Sequence, residues 1–247
     1  MDGADAVIFG VPTEAGVSFR AGAAQGPAGI REFSESIESY GARAERDLAD
    51  LRVIDLGDGE VDEIEPSRLS CFLGGDHSIT PKIVHRIAEE SERLAVVGFD
   101  AHLDLRAEYP GDHACTYRRI AEAGIPCFVF GPRSGARDEW ADAEKVLSFY
   151  STSLHMPDSV RRELEGRDVY VTIDIDVLDP SIAPGTGNPE PGGPTFNELL
   201  EALEGLSSLR VVAFDVVEVS PPLDPSGVTQ VAAAILVREM LLRFARS

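Results

Sequence analysis

The amino-acid sequence predicts an α/β fold built around a mostly parallel sheet of eight strands. Two observations lead there. Short apolar runs alternate with helix-length segments along the chain, the order that pairs strands in parallel and places helices on the sheet faces. Several runs, such as Arg210-Val211-Val212-Ala213-Phe214, are continuously apolar, as strands buried on both sides are. The pattern alone leaves open a closed barrel or an open three-layer α/β/α sandwich. In either, ligands bind at the carboxyl ends of the strands.

Strands are expected near 5–11, 51–56, 69–73, 94–99, 126–130, 145–150, 168–173 and 209–214. Helices are expected near 27–40, 78–92, 114–123, 135–143, 157–164, 195–205 and 226–244. The loop after the first strand, 12–29, carries Arg20 with Gly16, Gly22, Gly26 and Gly29. Close approach to a ligand and simple turn geometry explain these glycines equally well. Pro27 suits the first turn of the next helix. No repeat, low-complexity tract or linker divides the 247 residues, so a single domain over 1–247 is expected.

The charge excludes some partners. The chain has 43 acidic and 22 basic residues, a net charge of −21, and only two lysines, Lys82 and Lys145. Such a surface repels nucleic acid and anionic membranes and attracts cationic ligands. Scarce lysine and a large negative charge also suggest adaptation to a salt-rich cytoplasm, where screening acts over roughly 3 Å at 1 M salt. Three cysteines, Cys71, Cys115 and Cys127, form no C-x-x-C pair, which fits a reducing compartment. The start of the chain lacks a signal-peptide pattern, and the run Val231–Val237 is too short to span a bilayer. A cytoplasmic protein is expected.

The chemistry-bearing residues follow the third, fourth, seventh and eighth strands. After the fourth comes Phe99-Asp100-Ala101-His102-Leu103-Asp104. If the extended conformation continues, Asp100, His102 and Asp104 share one face. After the seventh, Asp174 and Asp176 repeat that spacing among apolar neighbours. Like charges so placed repel unless one is protonated or a cation binds. After the third, Gly74-Gly75-Asp76-His77-Ser78 brings His77 to a helix start. Taken alone, His77 is more often structural, and Asp179-Pro180 is an ordinary acidic turn. Together, His77, Asp100, His102, Asp104, Asp174 and Asp176 offer two imidazoles and four carboxylates. That is too many for one closed zinc site; it suits two hard or borderline divalent ions, manganese first and iron, cobalt or zinc behind. Two such ions share an activated water about 3.5–4 Å from one to the other.

These motifs resemble the ureohydrolase family of arginases and agmatinases, and among them the archaeal-type agmatinases. The resemblance rests on "FGVPTEAGVSFRAGAAQGPAGIR" at 9–31, "GGDHS" at 74–78, "FDAHLD" at 99–104, "IDIDVLDP" at 173–180, "PGTGNPEPGG" at 184–193 and "FDVVEVSP" at 214–221, in family order. It implies the open three-layer arginase/deacetylase fold, two Mn(2+) ions per subunit, and assembly as a homo-oligomer, trimer or hexamer. It implies hydrolysis of a small cationic guanidino substrate through a metal-bridging hydroxide. His77, Asp100, Asp104 and Asp176 match the ligands of one ion, and Asp100, His102, Asp174 and Asp176 those of the other, with Asp100 and Asp176 bridging. Asp104 matches the residue that accepts the hydroxide's proton, His113 the proton-relaying histidine, and Glu218 the carboxylate that receives the guanidinium. On their own, His113 reads as a surface residue and Glu218 as a strand-end charge.

Arginases hold the substrate α-carboxylate and α-amino group with polar residues behind "DAHxD", including an Asn. Here the stretch is Asp104-Leu105-Arg106-Ala107-Glu108-Tyr109, closer to the "DLRDEY" of archaeal-type agmatinases, and "HACTYRR" at 113–119 agrees. Agmatine, yielding putrescine and urea, is the expected substrate. Arginine, guanidinobutyrate, guanidinopropionate, formiminoglutamate and guanidine are alternatives, as are a deacetylase-like metal amidohydrolase and a non-catalytic metal-binding paralogue. The loop 110–112 is shorter than usual for the family, Asp112 stands where Ser is frequent, Thr172 replaces a usual Ser, and Ser220 an Asn.

Overall fold

The computed structural model describes residues 3–63, 68–108 and 113–245. The 110–112 loop therefore lies outside the described residues. Eight strands form one sheet: β1 (Ala6–Val11), β2 (Val53–Asp58), β3 (Ser70–Gly74), β4 (Leu94–Phe99), β5 (Cys127–Phe130), β6 (Phe149–Ser151), β7 (Asp168–Asp174) and β8 (Arg210–Val217). Their spatial order is β2-β1-β3-β8-β7-β4-β5-β6, and every pairing is parallel. The sheet is open at β2 and β6, which settles the sandwich over the barrel.

Helices cover both faces because strand side chains alternate between them. On one face Cys71, Val97, Phe99, Val171, Ile173 and Phe214 pack with residues of α1 (Gly26–Ser34), α5 (Asp158–Leu164), α6 (Phe196–Glu204) and α7 (Val228–Phe244). On the other, Phe72, Val96, Tyr170 and Ala213 pack with α2 (Ile79–Ala88), α3 (Thr116–Glu122) and α4 (Arg137–Val146). Burial on both sides is why these strands read as unbroken apolar runs.

The expected elements are all present, with shifted ends. The helix expected over 27–40 stops at Ser34; the Ser34 and Ser36 hydroxyls bond to the Arg31 and Phe33 carbonyls, and Tyr40–Gly41 then pairs antiparallel with Arg46–Asp47. The strand expected over 145–150 is shorter and later, since α4 runs through Val146 before β6 begins at Phe149. The last strand extends to Val217 rather than 214.

Register positions the site. Val216 of β8 lies beside Leu73 of β3, Val217 beside Asp174, and Ile173 beside Phe99 of β4. The carboxyl ends of β3, β8, β7 and β4 thus stand side by side at the centre of the sheet, where the chain order reverses and a ligand crevice forms. Among the described residues, no helix is long and apolar enough to cross a membrane.

Candidate metal centre

The turn after β3 carries His77. A Cβ on Gly75 would lie 1.7 Å from the Thr13 carbonyl oxygen, so only glycine fits this approach of the two loops. Gly75 donates to Val11 O and accepts from Glu218 N, tying three strand ends together. Asp76, fully buried, accepts from Gly16 N at 2.6 Å and from Ser78 N at 3.0 Å.

The turn after β4 differs from the expected extended run. The strand ends at Phe99, His102 makes an isolated bridge to Ser134, and Asp104 is left-handed at φ 46°. Asp100, His102 and Asp104 are therefore gathered by a folded turn rather than by strand alternation. His102 N donates to Asp100 Oδ1 at 2.6 Å, and Arg118 N to the Asp104 carbonyl at 3.3 Å, which holds the turn. The same correction applies after β7. The chain enters a single 3-10 turn at Ile175–Val177, and the Asp174 carboxylate caps it by accepting from Asp176 N at 2.9 Å.

All six expected ligand residues converge. His77 Nδ1 lies 3.2 Å from Asp100 Oδ2, 3.2 Å from Asp104 Oδ2 and 3.4 Å from Asp174 Oδ2. His102 Nδ1 lies 2.9 Å from Asp176 Oδ2 and 3.7 Å from Asp100 Oδ1. Two groups thus have metal-ligand spacing, His77-Asp100-Asp104 and Asp100-His102-Asp176, and Asp100 belongs to both. The distances alter one expected assignment: Asp174, not Asp176, stands beside His77, while Asp176 faces His102. The twist of the 3-10 turn separates two carboxylates that a straight strand would have aligned.

The donor set fits cations. His77 Nδ1 and Asp100 Oδ2 are buried and have no hydrogen-bond partner, which is costly unless a positive ion meets them. His77 Nε2 lies 3.0 Å from the Thr172 hydroxyl, which orients the ring and leaves Nδ1 toward the carboxylates.

Without ions, the titration of the cluster shows its strain. Burial opposes charge on His77, but Asp100 and Asp104 raise its pKa well above the usual value. Burial likewise opposes charge on His102, yet Asp176 drives it up to about 10. Burial and then the Asp100 charge raise Asp104 to about 6. Burial, Asp176 and Asp100 together push Asp174 well up. Crowded carboxylates hold protons that a divalent ion would replace.

Glu218 follows β8 and, like Asp104, is left-handed, at φ 62°. Its Oε1 accepts from His77 N at 2.9 Å and lies 3.3 Å from His113 Nδ1. His113 opens the 3-10 turn before α3, and its Nε2 lies 2.7 Å from the Ser18 hydroxyl. Burial opposes charge on His113, and Glu218 more than restores it, raising its pKa. These groups share a cleft of about 320 Å³ with the ligand carboxylates. Its outer wall includes Arg106, whose Nε is 3.1 Å from Glu139 Oε2. Asp104, Asp174, Asp176 and Glu218 line the cleft together with His102, an acidic lining that attracts cations.

Sequence reasoning missed Thr172 as a support for His77, and Ser18 and Asn188 as cleft residues. Thr172 lies one β-strand step from Asp174 on the same face, a signal that was available. Ser18 is brought in by a loop, and no spacing announces it.

A family model described as "Arginase family" matches residues 4–242. The chain is 39% identical to an agmatinase of Bacillus anthracis, over 96% of this chain and 91% of the relative. It is 38% identical to an agmatinase of Pyrococcus horikoshii, over 88% of this chain and 84% of the relative. Among solved structures, the agmatine ureohydrolase of Thermoplasma volcanium superposes with a TM-score of 0.83 at 31% identity, covering 97% of this chain and 89% of that one.

Proposed function

This chain belongs to the arginase family and is a ureohydrolase, and we propose that it hydrolyses agmatine to putrescine and urea with two manganese ions. One observation carries the reading: an acidic acceptor, Glu218, stands at the floor of one cleft beside six convergent ligand residues. His77, Asp100 and Asp104, with Asp174 beside His77, would hold one ion, and Asp100, His102 and Asp176 the other, so Asp100 is the carboxylate common to both groups. When bound, such ions lower the pKa of water toward neutrality and stabilise developing negative charge.

The protein groups do the rest. Glu218 pairs with the planar guanidinium; its Oε1 is held by His77 N and faces His113, so Oε2 is presented to the substrate. Asp104, at the cleft floor, accepts a proton from the nucleophilic water. His113 supplies a proton to the departing amine. Agmatine is favoured over arginine because the stretch behind Asp104 reads Leu105-Arg106 where arginases place an Asn, and Arg106, on the cleft wall, is engaged by Glu139. Arg106 also motivates a second reading, since a guanidino acid such as guanidinobutyrate would place its carboxylate toward that cation.

The test is urea release by the manganese-loaded protein in high salt, with agmatine, arginine and guanidinobutyrate side by side. Agmatine is expected to give the highest kcat/KM. Faster turnover of arginine overturns the substrate assignment, and faster turnover of guanidinobutyrate selects the second reading.

A further inference from the structure

We infer that Ser18, on the glycine-rich loop after β1, is the positioning residue that sets the tautomer of His113 and connects its ring to solvent. The inference rests on the ureohydrolase reading above for what His113 does, and on geometry for where Ser18 stands.

The loop is pinned on both sides of Ser18. Gly16 N donates to the buried Asp76 carboxylate at 2.6 Å. Arg20 donates to Thr186 O at 2.6 Å and Gly187 O at 3.0 Å. Between these anchors Ser18 lines the cleft, and the next residue, Phe19, is 74% exposed, so the loop tip lies at the solvent boundary.

The hydrogen bonds have a definite order. Asn188 Nδ2 is a donor and lies 3.5 Å from Ser18 Oγ. Ser18 can accept there and give its own hydrogen to His113 Nε2, 2.7 Å away. His113 then carries its hydrogen on Nδ1, directed at the anionic Glu218 Oε1, 3.3 Å away. The ring nitrogen nearest Glu218, where the substrate guanidinium is received, is thereby a donor, as delivery to a departing amine requires. The proton is replaced from outside: Nε2 takes the Ser18 hydrogen while Oγ takes one from cleft water. With the Nδ1 hydrogen gone to the amine, the ring ends neutral with its hydrogen on Nε2, the serine is unchanged, and the hydroxide left by the water takes up the proton that Asp104 accepted.

The experiment compares wild type, Ser18→Ala and Ser18→Thr, loaded with manganese. Readouts are kcat and KM for agmatine across pH, recovery by added imidazole, and 15N histidine spectra of the ring tautomers. Removing a group that orients a functional histidine acts at about 10- to 100-fold. Ser18→Ala should therefore lose about that much in kcat with KM and metal content unchanged. Imidazole should restore part of the loss, Ser18→Thr should restore most of it, and the Nδ1–H tautomer seen in wild type should be lost in Ser18→Ala. Unchanged kcat across pH, or a loss that neither imidazole nor threonine repairs, overturns the proposal. If wild type releases no urea from any guanidine, the functional reading fails separately. The 15N spectra then still decide the Ser18–His113 bond, and an unaltered tautomer in Ser18→Ala rejects it.

Discussion

Replacing Asp100 by Asn should nearly abolish the stabilisation that metal gives this protein. Asp100 is the one carboxylate in both ligand groups, with Oδ2 3.2 Å from His77 Nδ1 and Oδ1 3.7 Å from His102 Nδ1. In Asp100→Asn the amide oxygen would stay on His102 N, which donates at 2.6 Å to Oδ1. The NH2 then takes the place of Oδ2 and points donors at the first ion position, while the second loses a negative charge. In wild type each ion, at 100 times its Kd, contributes about 2.7 kcal/mol. For a chain of this length that raises Tm by roughly 5–11 °C per ion, and two ions double it. Scanning calorimetry of metal-free and manganese-loaded protein measures the difference. With each ion weakened about 100-fold, Asp100→Asn should retain about a sixth of the shift. The metal-free variant should be at least as stable as wild type, because Asp104 and Asp174 lose a repelling neighbour. A full metal-dependent shift in the variant, or a collapse of its metal-free Tm, would refute the assignment of Asp100 as a shared ligand.

Three further outcomes are expected. Glu218→Gln leaves metal content intact but costs about 2–5 kcal/mol of transition-state binding, or roughly 30- to 5,000-fold in kcat/KM; a loss under threefold argues against Glu218 as the guanidinium acceptor. Asp179 accepts from Ser181 N, Ser181 Oγ and Gly192 N, and the Ser181 hydroxyl leads in depressing its pKa to about 2. A depressed carboxylate stabilises the fold above its unfolded pKa of about 3.9 and ceases to as pH falls through about 2. The stability gap between wild type and Asp179→Asn in denaturant titrations should accordingly be full at pH 5–7 and narrow below about pH 4; a constant gap contradicts this. With a net charge of −21, Tm should rise between 0.1 and about 2 M KCl as repulsion is screened; a flat or falling Tm removes the salt-adaptation reading.

Much of the fold and site was legible because local and global signals agree. Continuous apolar runs marked the strands buried on both faces, and the candidate ligands and Glu218 followed strand ends that register aligns with one another. What was not legible is where tertiary contacts override local geometry. Nothing local forces Asp104 and Glu218 to positive φ; Arg118 N on the Asp104 carbonyl and the Glu218 N–H to Gly75 O do so from elsewhere in the chain. Alternation placed Asp174 and Asp176 on one strand face, but the chain turns at Ile175, which brings Asp174 beside His77 and Asp176 beside His102. Helix α1 stopped early where serine hydroxyls compete for carbonyls. Ser18 reaches the site only because Gly16 and Arg20 fasten a loop whose glycines fit two explanations alone.

The central claim is that two cations held by this cluster carry guanidine hydrolysis. Titrating metal-free protein with Mn(2+), while measuring bound metal by mass spectrometry and urea from agmatine in the same samples, tests it most directly. Activity should rise until two equivalents are bound per chain and then level off. Full activity at one equivalent, or two bound equivalents without urea, would contradict it.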